Sequence, residues 1–331
     1  MSAAELPAMP GQRRYGGVVA VLAFLGVVAS AMQVLIIPIL GQLGPLLGTT
    51  ARNAAWSVTV TPLVSAVTVA VSGRLGDMLG KRVVIIAVTI PMVVGLAVCA
   101  MANNLVWMLV GRGLQGVAIG VIPLSISLLR DVAPPKRLAV AVAIMSAAAG
   151  VGNAIGLPTA AAIAQATNWH IMFWVFAGLA LVGLLLLITL VPRDPASAPT
   201  ATAGQMRPRF DFAGAIILAC GLVALLLPVS KGADWGWTSP PTLALFGVAV
   251  VFIAIWAVVE LHHPAPLTNL RTLARPAVAW TNIASVLATF AMYVRFLVLP
   301  QILQLAKATG YGLGQSMLAM SRGTPPAGTP P

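Results

Sequence analysis

Four charged residues of this chain lie within ten positions, in the stretch GRLGDMLGKRVV from Gly73 to Val84. One carboxylate beside several cations can form hydrogen-bonded ion pairs, and glycines permit a tight turn. The stretch therefore predicts a charged turn that joins two helix ends. The alternative is that any short loop beside a membrane collects basic residues. The candidate residues are Gly73, Asp77, Gly80, Lys81 and Arg82.

A second candidate is an arginine inside an apolar run, in GRGLQGVAIG from Gly111 to Gly120. An arginine within a membrane span costs about 2.5–3.5 kcal/mol on insertion scales, so such a residue is a functional candidate by default. The alternative is that Arg112 lies close enough to a helix end to extend its charge to the lipid headgroups. The candidate residues here are Arg112, Gln115 and Gly116.

Small and polar residues mark a further apolar run, GVGNAIGLPTAAA from Gly150 to Ala162. Its candidates are two glycines four positions apart and a proline, namely Gly152, Gly156 and Pro158. The glycine spacing lets helix backbones approach closely, as ordinary membrane packing also does, and the proline can kink the helix. Gln33 and Asn153 are candidates for lining a cavity, and both could equally bond a neighbouring helix.

Helices that cross a lipid bilayer must position these candidates. The chain is 59% hydrophobic and 8% charged, whereas about a quarter of the residues in a soluble domain are charged. A span needs roughly 20 apolar residues, and windows free of charged residues predict nine helices. The predicted fold is therefore all-α and integral to the membrane. The nine ranges are 17–40, 54–73, 83–102, 105–128, 138–164, 171–191, 211–229, 240–260 and 277–304.

The distribution of charge predicts the orientation of these helices. With the N-terminus in the cytoplasm, most lysines and arginines fall in cytoplasmic segments, and the outer segments hold Arg52, Lys231 and Lys307. This asymmetry is the one that the positive-inside rule describes. It also accounts for the net charge of +12 without a nucleic-acid partner. We expect a multi-pass protein of the bacterial inner membrane, which is the plasma membrane, surrounded by the lipid bilayer.

The charged turn at Gly73–Val84 resembles the loop signature of the major facilitator superfamily. The resemblance implies that Asp77 is part of an inner gate and bonds neighbouring helix ends and a basic residue. The run at Gly111–Gly120 is similar to the helix-four motif of that superfamily, whose arginine faces the central cavity and serves proton coupling or substrate charge. The run at Gly150–Ala162 resembles the antiporter motif of the exporter branch, although Leu157 stands where that motif has a glycine.

Three later stretches resemble the fourteen-helix drug:proton antiporter family, in which two helices are inserted between two six-helix bundles. They are Phe210–Leu227, Trp235–Pro240 and Pro266–Leu270. The resemblance implies a multidrug or small-molecule exporter that works by alternating access with proton antiport. Its expected partners are small amphipathic or cationic substrates and protons, and the sequence leaves open whether the chain needs a protein partner.

The resemblance also divides the chain into parts. They are a cytoplasmic tail (1–16), a six-helix N-terminal bundle (17–191), a cytoplasmic linker (192–210), two inserted linker helices (211–260), the first helix of an incomplete C-terminal bundle (277–304) and an irregular tail (305–331).

Proton coupling lacks an obvious acid in this sequence. The family often carries an acidic residue in its first helix, whereas all acidic residues here fall in predicted loops, tails or helix ends. A proton-coupled carrier needs a titratable group in its pathway, and arginine stays protonated. His170 is the nearest alternative, although its place at an outer helix end also suits a simple headgroup contact. The expectation of proton coupling therefore rests on the family resemblance and not on a particular residue of this sequence.

The second bundle that alternating access requires is incomplete in this sequence. Alternating access rocks one bundle against another around a central site, so the alternative to a transporter is a truncated membrane fragment that inserts without transporting. A membrane-embedded enzyme would need a catalytic cluster at membrane depth. The sequence offers no nucleophile with a base and no metal-ligand spacing, so we expect no enzyme activity, no metal and no cofactor.

Overall fold

The computed structural model describes residues 10–192, 211–262 and 270–304. Within these ranges every regular element is a helix and no strand occurs. Short helices at Ile37–Gln42, Leu43–Leu46, Ala51–Ala54, Ala118–Gly120 and Leu270–Leu273 lie between longer ones. The longer helices are α1 (Pro10–Val34), α2 (Trp56–Leu79), α3 (Lys81–Ala100), α4 (Leu105–Val117), α5 (Val121–Val132), α6 (Pro135–Ala166), α7 (Trp169–Leu190), α8 (Phe212–Trp235), α9 (Pro240–His262) and α10 (Pro276–Gln304).

Eight helical stretches of the described residues are long and apolar enough to cross a membrane. They correspond to the first eight predicted helices, so the all-α membrane fold is confirmed. The ninth predicted helix is present as α10, and its apolar stretch Pro276–Met292 is shorter than the other eight.

Helices α2–α7 pack together around α1. These seven helices are called the bundle below. α1 packs against α6 and α7, α3 lies against α4 and α7, and α2 lies against α4. The side chains of Leu22, Leu25 and Met32 on α1 are completely buried. A helix that is apolar on all sides is buried by its neighbours, which accounts for the central place of α1. α8 and α9 form a separate hairpin, and α8 leans on α2.

The fourth predicted helix, 105–128, is divided by a 3-10 turn at Ala118–Gly120. Pro123 lies in the first turn of α5 and lacks the amide hydrogen that would continue the helical ladder. At the same break Gly120 lies against α2, because an added Cβ there would stand 2.7 Å from the Ser72 hydroxyl oxygen. The break therefore lies where the chain passes close to α2.

The prediction of a turn over Gly73–Val84 is wrong in extent. α2 continues to Leu79 and α3 begins at Lys81, so the turn consists of Gly80 alone. Gly80 has a φ of 94°, which glycine adopts without the steric penalty that other residues meet. Asp77 therefore lies in the last turn of α2, and Lys81 lies in the first turn of α3.

Two further boundaries differ from the prediction. α8 extends to Trp235 rather than ending at 229, so Lys231 lies in the helix and not in an outer loop. α1 begins at Pro10, within the segment predicted as a tail. The predicted linker 192–210, apart from residue 192, and the predicted tail 305–331 lie outside the described residues.

Candidate functional site

Glycines on α3 and α4 bring the predicted arginine close to other backbones. An added Cβ at Gly111 would stand 2.8 Å from the Gly95 carbonyl oxygen of α3, and one at Gly116 would stand 2.7 Å from the Thr61 carbonyl oxygen of α2. Any larger residue would push these helices apart. The Thr61 hydroxyl also donates a hydrogen bond to the carbonyl of Arg112 at 3.0 Å. α4 is thus held against α2 and α3 at the level of Arg112.

Arg112 is buried in the bundle, with 2% of its surface exposed. Its Nε donates to the Ser57 carbonyl of α2 at 2.9 Å, and its Nη1 donates to the Met32 carbonyl of α1 at 3.2 Å. The side chain thus turns into the bundle rather than toward the headgroups. These bonds go to neutral backbone oxygen atoms, so backbone dipoles help to solvate the positive charge.

Gln115 connects this arginine to a fourth helix. Its side-chain oxygen accepts a hydrogen bond from Arg112 Nη1 at 2.6 Å. Its Nε2 donates to the Gly95 carbonyl at 3.3 Å and to Cys99 Sγ at 3.2 Å, both on α3. Gln115 has no exposed surface. The structure therefore brings Arg112, Gln115 and Gly116 together in one polar cluster that joins α1, α2, α3 and α4.

A cavity of about 350 Å³ lies beside this cluster. Gln33 of α1, Arg112 of α4 and Asn153 of α6 all contribute to its wall. Residues far apart in the sequence thus meet at one space, and most of the remaining wall is apolar. α8 also forms part of the same wall, through Leu226, Val229 and Ser230, which the sequence did not predict.

The two glycines of α6 lie against α1 rather than in the cavity wall. An added Cβ at Gly152 would stand 2.8 Å from Ser30 Cβ, and one at Gly156 would stand 2.8 Å from Ala31 Cα. This is the close backbone approach that small residues permit in membrane proteins. Pro158 lies inside α6, which continues through it. Gly152 and Gly156 therefore form a packing seam between α1 and α6.

The basic residues that follow Gly80 bind two different helix ends. Lys81 Nζ pairs with Asp131 Oδ2 of α5 at 2.5 Å and donates to the Ser127 carbonyl at 3.1 Å. Arg82 binds the end of α7: its Nε donates to the Val191 carbonyl at 2.7 Å, and its Nη2 donates to the Ile188 carbonyl at 2.8 Å. The last carbonyls of a helix lack intrahelical partners, so Arg82 acts as their cap.

Asp77, the predicted gate residue, is placed apart from these contacts. Its side chain is exposed, and no hydrogen bond or ion pair links it to another described residue. The carboxylate that pairs with Lys81 is instead Asp131, which the sequence analysis left among the acidic residues at helix ends. The only sequence signal for this pair was that Asp131 follows a predicted helix, on the same predicted side of the membrane as Lys81. Gly73 has open space around it.

A second charged cluster lies at the predicted outer end, where α8 meets α2. The ammonium of Lys231 lies 4.5 Å from the centre of the Trp56 ring and pairs with Asp234 at 3.0 Å. Asp234 in turn pairs with Arg52 at 3.1 Å. Lys231 is 9% exposed, so it is a buried cation held by a ring and a carboxylate. Assigning Lys231 to a loop concealed this cluster from the sequence analysis.

His170, the residue considered for proton coupling, lies at the end of a helix and away from the cavity. The ring of His170 stacks on Trp169 at 3.6 Å between centroids, and its Nε2 lies 3.2 Å from the Ala102 carbonyl. It does not line the cavity beside Arg112. Among the described residues, no three His, Cys, Asp or Glu side chains lie close enough together to hold a metal ion.

Known proteins resemble this chain over most of its length. A family model described as Major Facilitator Superfamily matches residues 22–324. The multidrug transporter protein MdtP of Bacillus subtilis (strain 168) is 26% identical over 268 residues, covering 80% of this chain and 47% of that protein. The multidrug resistance protein B homolog of Mycobacterium tuberculosis (strain ATCC 25618 / H37Rv) is 28% identical over 264 residues, covering 78% of this chain and 47% of that protein.

The chain thus spans about half the length of these curated relatives. Among solved structures, the in meso crystal structure of the POT family transporter PepTSo is similar, with a TM-score of 0.50 and 16% identity. The match covers 78% of this chain and 56% of that one. At this identity the likeness concerns the fold alone.

Proposed function

Because the chain belongs to the Major Facilitator Superfamily, we propose that it exports small molecules across the membrane by alternating access in exchange for protons. The family and the relatives named above are transporters rather than enzymes. The eight membrane-length helices agree with a multi-pass membrane protein. We further propose that the N-terminus and the Gly80 turn face the cytoplasm of a bacterial cell, following the positive-inside asymmetry.

The observation that carries this proposal is the cavity beside Arg112. Its volume of about 350 Å³ falls in the range of small-molecule sites, which are mostly apolar with a few placed polar groups. Gln33 and Asn153 supply neutral polar groups, and Arg112 supplies a charge at the same wall. An arginine held inside a membrane bundle at such a cost is retained for function by default.

The residues around Gly80 fit an inner gate in this scheme. Lys81 and Arg82 join α3 to α5 and α7 through contacts that partly face solvent, so these contacts can break and reform at low cost. Asp77 is exposed at the same end, where it can bond to another part of the transporter in a different conformation. We assign Gly73 and Gly80 to the geometry of this gate and Asp77 to its alternate contact.

The seam formed by Gly152 and Gly156 serves the same scheme by making α1 and α6 move together, and we assign Pro158 to the geometry of α6. Rocking requires each bundle to behave as a rigid body. We propose that residues 17–191 form one such bundle and that 211–260 form a pair inserted before a second bundle, of which 277–304 is the first helix. Translating the DNA beyond codon 331 in all frames tests this fourteen-helix arrangement, which predicts about five further apolar helices of about 20 residues.

Proton antiport requires a titratable group along the pathway. The described residues that line the cavity include no carboxylate, and Arg112 stays protonated. The coupling proton would therefore bind outside this cavity. Antiport is tested separately from transport by comparing flux with and without an imposed pH gradient.

Dye accumulation in cells tests the proposed function. We expect bacteria that lack their own efflux pumps to accumulate less fluorescent dye when they express the chain together with a complete second bundle, and a protonophore should abolish the difference. Arg112→Ala should restore full accumulation, whereas Gly150→Ala should not, since Gly150 has open space around it. All variants are compared at equal amounts of protein in the membrane.

The alternative is a fragment that inserts without transporting. Equal accumulation with and without the chain, at matched membrane levels, would support that alternative and contradict the exporter proposal. If accumulation falls but is insensitive to both the protonophore and the pH gradient, export stands and proton antiport is wrong.

A further inference from the structure

We propose that the corner between α5 and α6 binds an anionic phospholipid. Its headgroup lies on Arg130, Lys136 and Arg137, and its acyl chains lie along one exposed face of α6. This site needs a membrane-spanning fold and does not depend on the proposed transport. It assigns one class of lipid to one place on the protein, rather than a bilayer that surrounds the whole chain.

Two prolines set the shape of this corner. Ala133 and Pro134 alone separate α5 from α6. Each of these two residues precedes a proline, which steers it away from helical geometry, and both are extended, with ψ angles of 135° and 141°. The chain therefore leaves one helix and enters the next within two residues. The last turn of α5 and the first turn of α6, which carry the three cations, meet at this corner.

The three cations of the corner are exposed and have no partner in the described part of the chain. Arg130, Lys136 and Arg137 all face solvent, and no ion pair or side-chain hydrogen bond links them to another described residue. Asp131, the carboxylate next to Arg130, already pairs with Lys81. The positive charge of the corner is therefore not balanced by the described residues.

Other basic residues at the same predicted end of the bundle are held by the protein itself. Lys81 binds Asp131 and the Ser127 carbonyl, and Arg82 caps the end of α7. The positive-inside rule accounts for basic residues at this end in general, but it does not distinguish these two groups. The contacts do, and they leave the cations of the α5–α6 corner for a partner outside the protein.

An apolar stripe on α6 continues from these cations. Val140, Ile144, Val151 and Ile155 are 41–60% exposed and share one helix face with Lys136, because their spacing follows the helical repeat. From Val140 to Ile155 the stripe extends over about 22 Å at 1.5 Å per residue. One leaflet contributes roughly 15 Å to the hydrocarbon core of a bilayer. Lys136 therefore stands at the end of an apolar surface that is long enough for an acyl chain.

An anionic phospholipid matches both the cations and the stripe. Its phosphate oxygens accept charge-assisted hydrogen bonds from arginine and lysine, and its chains cover exposed hydrocarbon. A soluble anion would leave the stripe uncovered, and a zwitterionic lipid would leave the positive charge unbalanced. Anionic lipids attract basic residues near the membrane surface by about 1 kcal/mol for each residue, so three cations at one corner favour such a lipid.

Competition between two lipids tests the proposal. The purified chain in detergent micelles is equilibrated with equal amounts of phosphatidylglycerol and phosphatidylcholine that carry the same acyl chains, and native mass spectrometry counts the lipids retained. We expect phosphatidylglycerol to be favoured. Lys136→Gln should lower this preference roughly fivefold, which corresponds to about 1 kcal/mol for one basic residue. Replacing Arg130, Lys136 and Arg137 together by glutamine should abolish it.

Two controls separate the corner from net charge and from simple anion binding. Arg275→Gln removes the same charge from another exposed residue, outside the corner, and should leave the preference unchanged. Glycerophosphoglycerol is the headgroup of phosphatidylglycerol without its acyl chains. At equal concentration it should not displace the lipid, because it cannot cover the stripe on α6.

Three outcomes would overturn the site. Equal retention of both lipids, or an unchanged preference in the triple variant, would show that the corner selects no anionic lipid. Equal losses in Arg275→Gln and Lys136→Gln would show that net charge acts without a particular place. Displacement by glycerophosphoglycerol would show an anion site that needs no lipid. None of these outcomes bears on dye export, so this site and the proposed function fail separately.

Discussion

The interior of the bundle and its predicted cytoplasmic end both join helices through basic side chains, but they do so with different partners. In the interior, Arg112 binds carbonyls of α1 and α2 in a buried site. At the end, Lys81, whose side chain is 15% exposed, binds the carboxylate of Asp131, which is 48% exposed, so this pair is partly open to solvent. Buried contacts of this kind are costly to break, whereas exposed ion pairs contribute little net free energy. The contacts of Arg112 in the interior should therefore contribute more to stability than the ion pair at the end.

Replacing Arg112 should lower the free energy of unfolding more than any other substitution described below. A smaller loss would contradict the comparison between interior and end. Arg112→Ala removes bonds to Ser57, Met32 and Gln115 and leaves their acceptors buried. We expect a loss of about 3 kcal/mol in the free energy of unfolding, about 1 kcal/mol for each bond. Denaturation with SDS, followed by tryptophan fluorescence, measures it. Arg112→Lys keeps the charge but not the planar fork and should lose less.

Substitutions in the seam between α1 and α6 should cause the second-largest loss in the free energy of unfolding. Gly152→Ala places a Cβ 2.8 Å from Ser30 Cβ, and we expect a loss of about 2 kcal/mol in the free energy of unfolding because of overpacking. Gly150→Ala, two positions away and with nothing within 4 Å, should be neutral or slightly stabilising because alanine favours the helix. Equal effects of the two substitutions would show that the seam is not tightly packed.

Arg82 lies between the two extremes, because it is at the end but binds carbonyls. Arg82→Ala should cost about 1.5 kcal/mol in the free energy of unfolding, since two bonds to the last turn of α7 are lost at a partly exposed site. Hydrogen exchange should become faster for the amides near Val191. Arg82→Lys retains the charge, and exchange rates like those of the unaltered protein would contradict a role for the guanidinium geometry.

Breaking the exposed ion pair should have a smaller effect. Asp131→Asn removes the charge that pairs with Lys81, and we expect a loss below about 1 kcal/mol in the free energy of unfolding. The loss should shrink further at high salt, because salt screens exposed charges. Unfolding of both proteins at low and high ionic strength measures it. A loss as large as that of Arg112→Ala would remove the distinction between interior and end.

Asp77→Asn should change stability least of all. No hydrogen bond or ion pair links Asp77 to another described residue, so we expect a change in the free energy of unfolding within about 0.5 kcal/mol. If Asp77 serves the gate, the same variant should nevertheless lower dye export. Unchanged export together with unchanged stability would contradict the role assigned to Asp77.

The helices could be predicted because bilayer thickness and charge-free windows constrain them strongly. Their ends could not, since α2 and α3 are separated by Gly80 alone and charged residues continue both helices. Arg112 was recognisable because charge inside a span is rare. Its partners on α1 and α2 were not, because they are the backbone carbonyls of Met32 and Ser57, and no residue type signals a carbonyl.

The cavity, too, could be predicted from the sequence only in part. Gln33 and Asn153 were recognisable as polar residues within apolar spans, and the structure places both beside Arg112. The contribution of α8 was not foreseeable. It depends on how a separate hairpin leans on α2, and the attachment uses Lys231, a residue that the boundary prediction had assigned to a loop.

The attachment of Lys231 over Trp56 also has a mechanical consequence. α8 is fastened to α2 at one end by a buried cation, a ring and two ion-paired neighbours. If residues 17–191 rock as one bundle, as proposed above, this attachment should make α8 tilt together with α2.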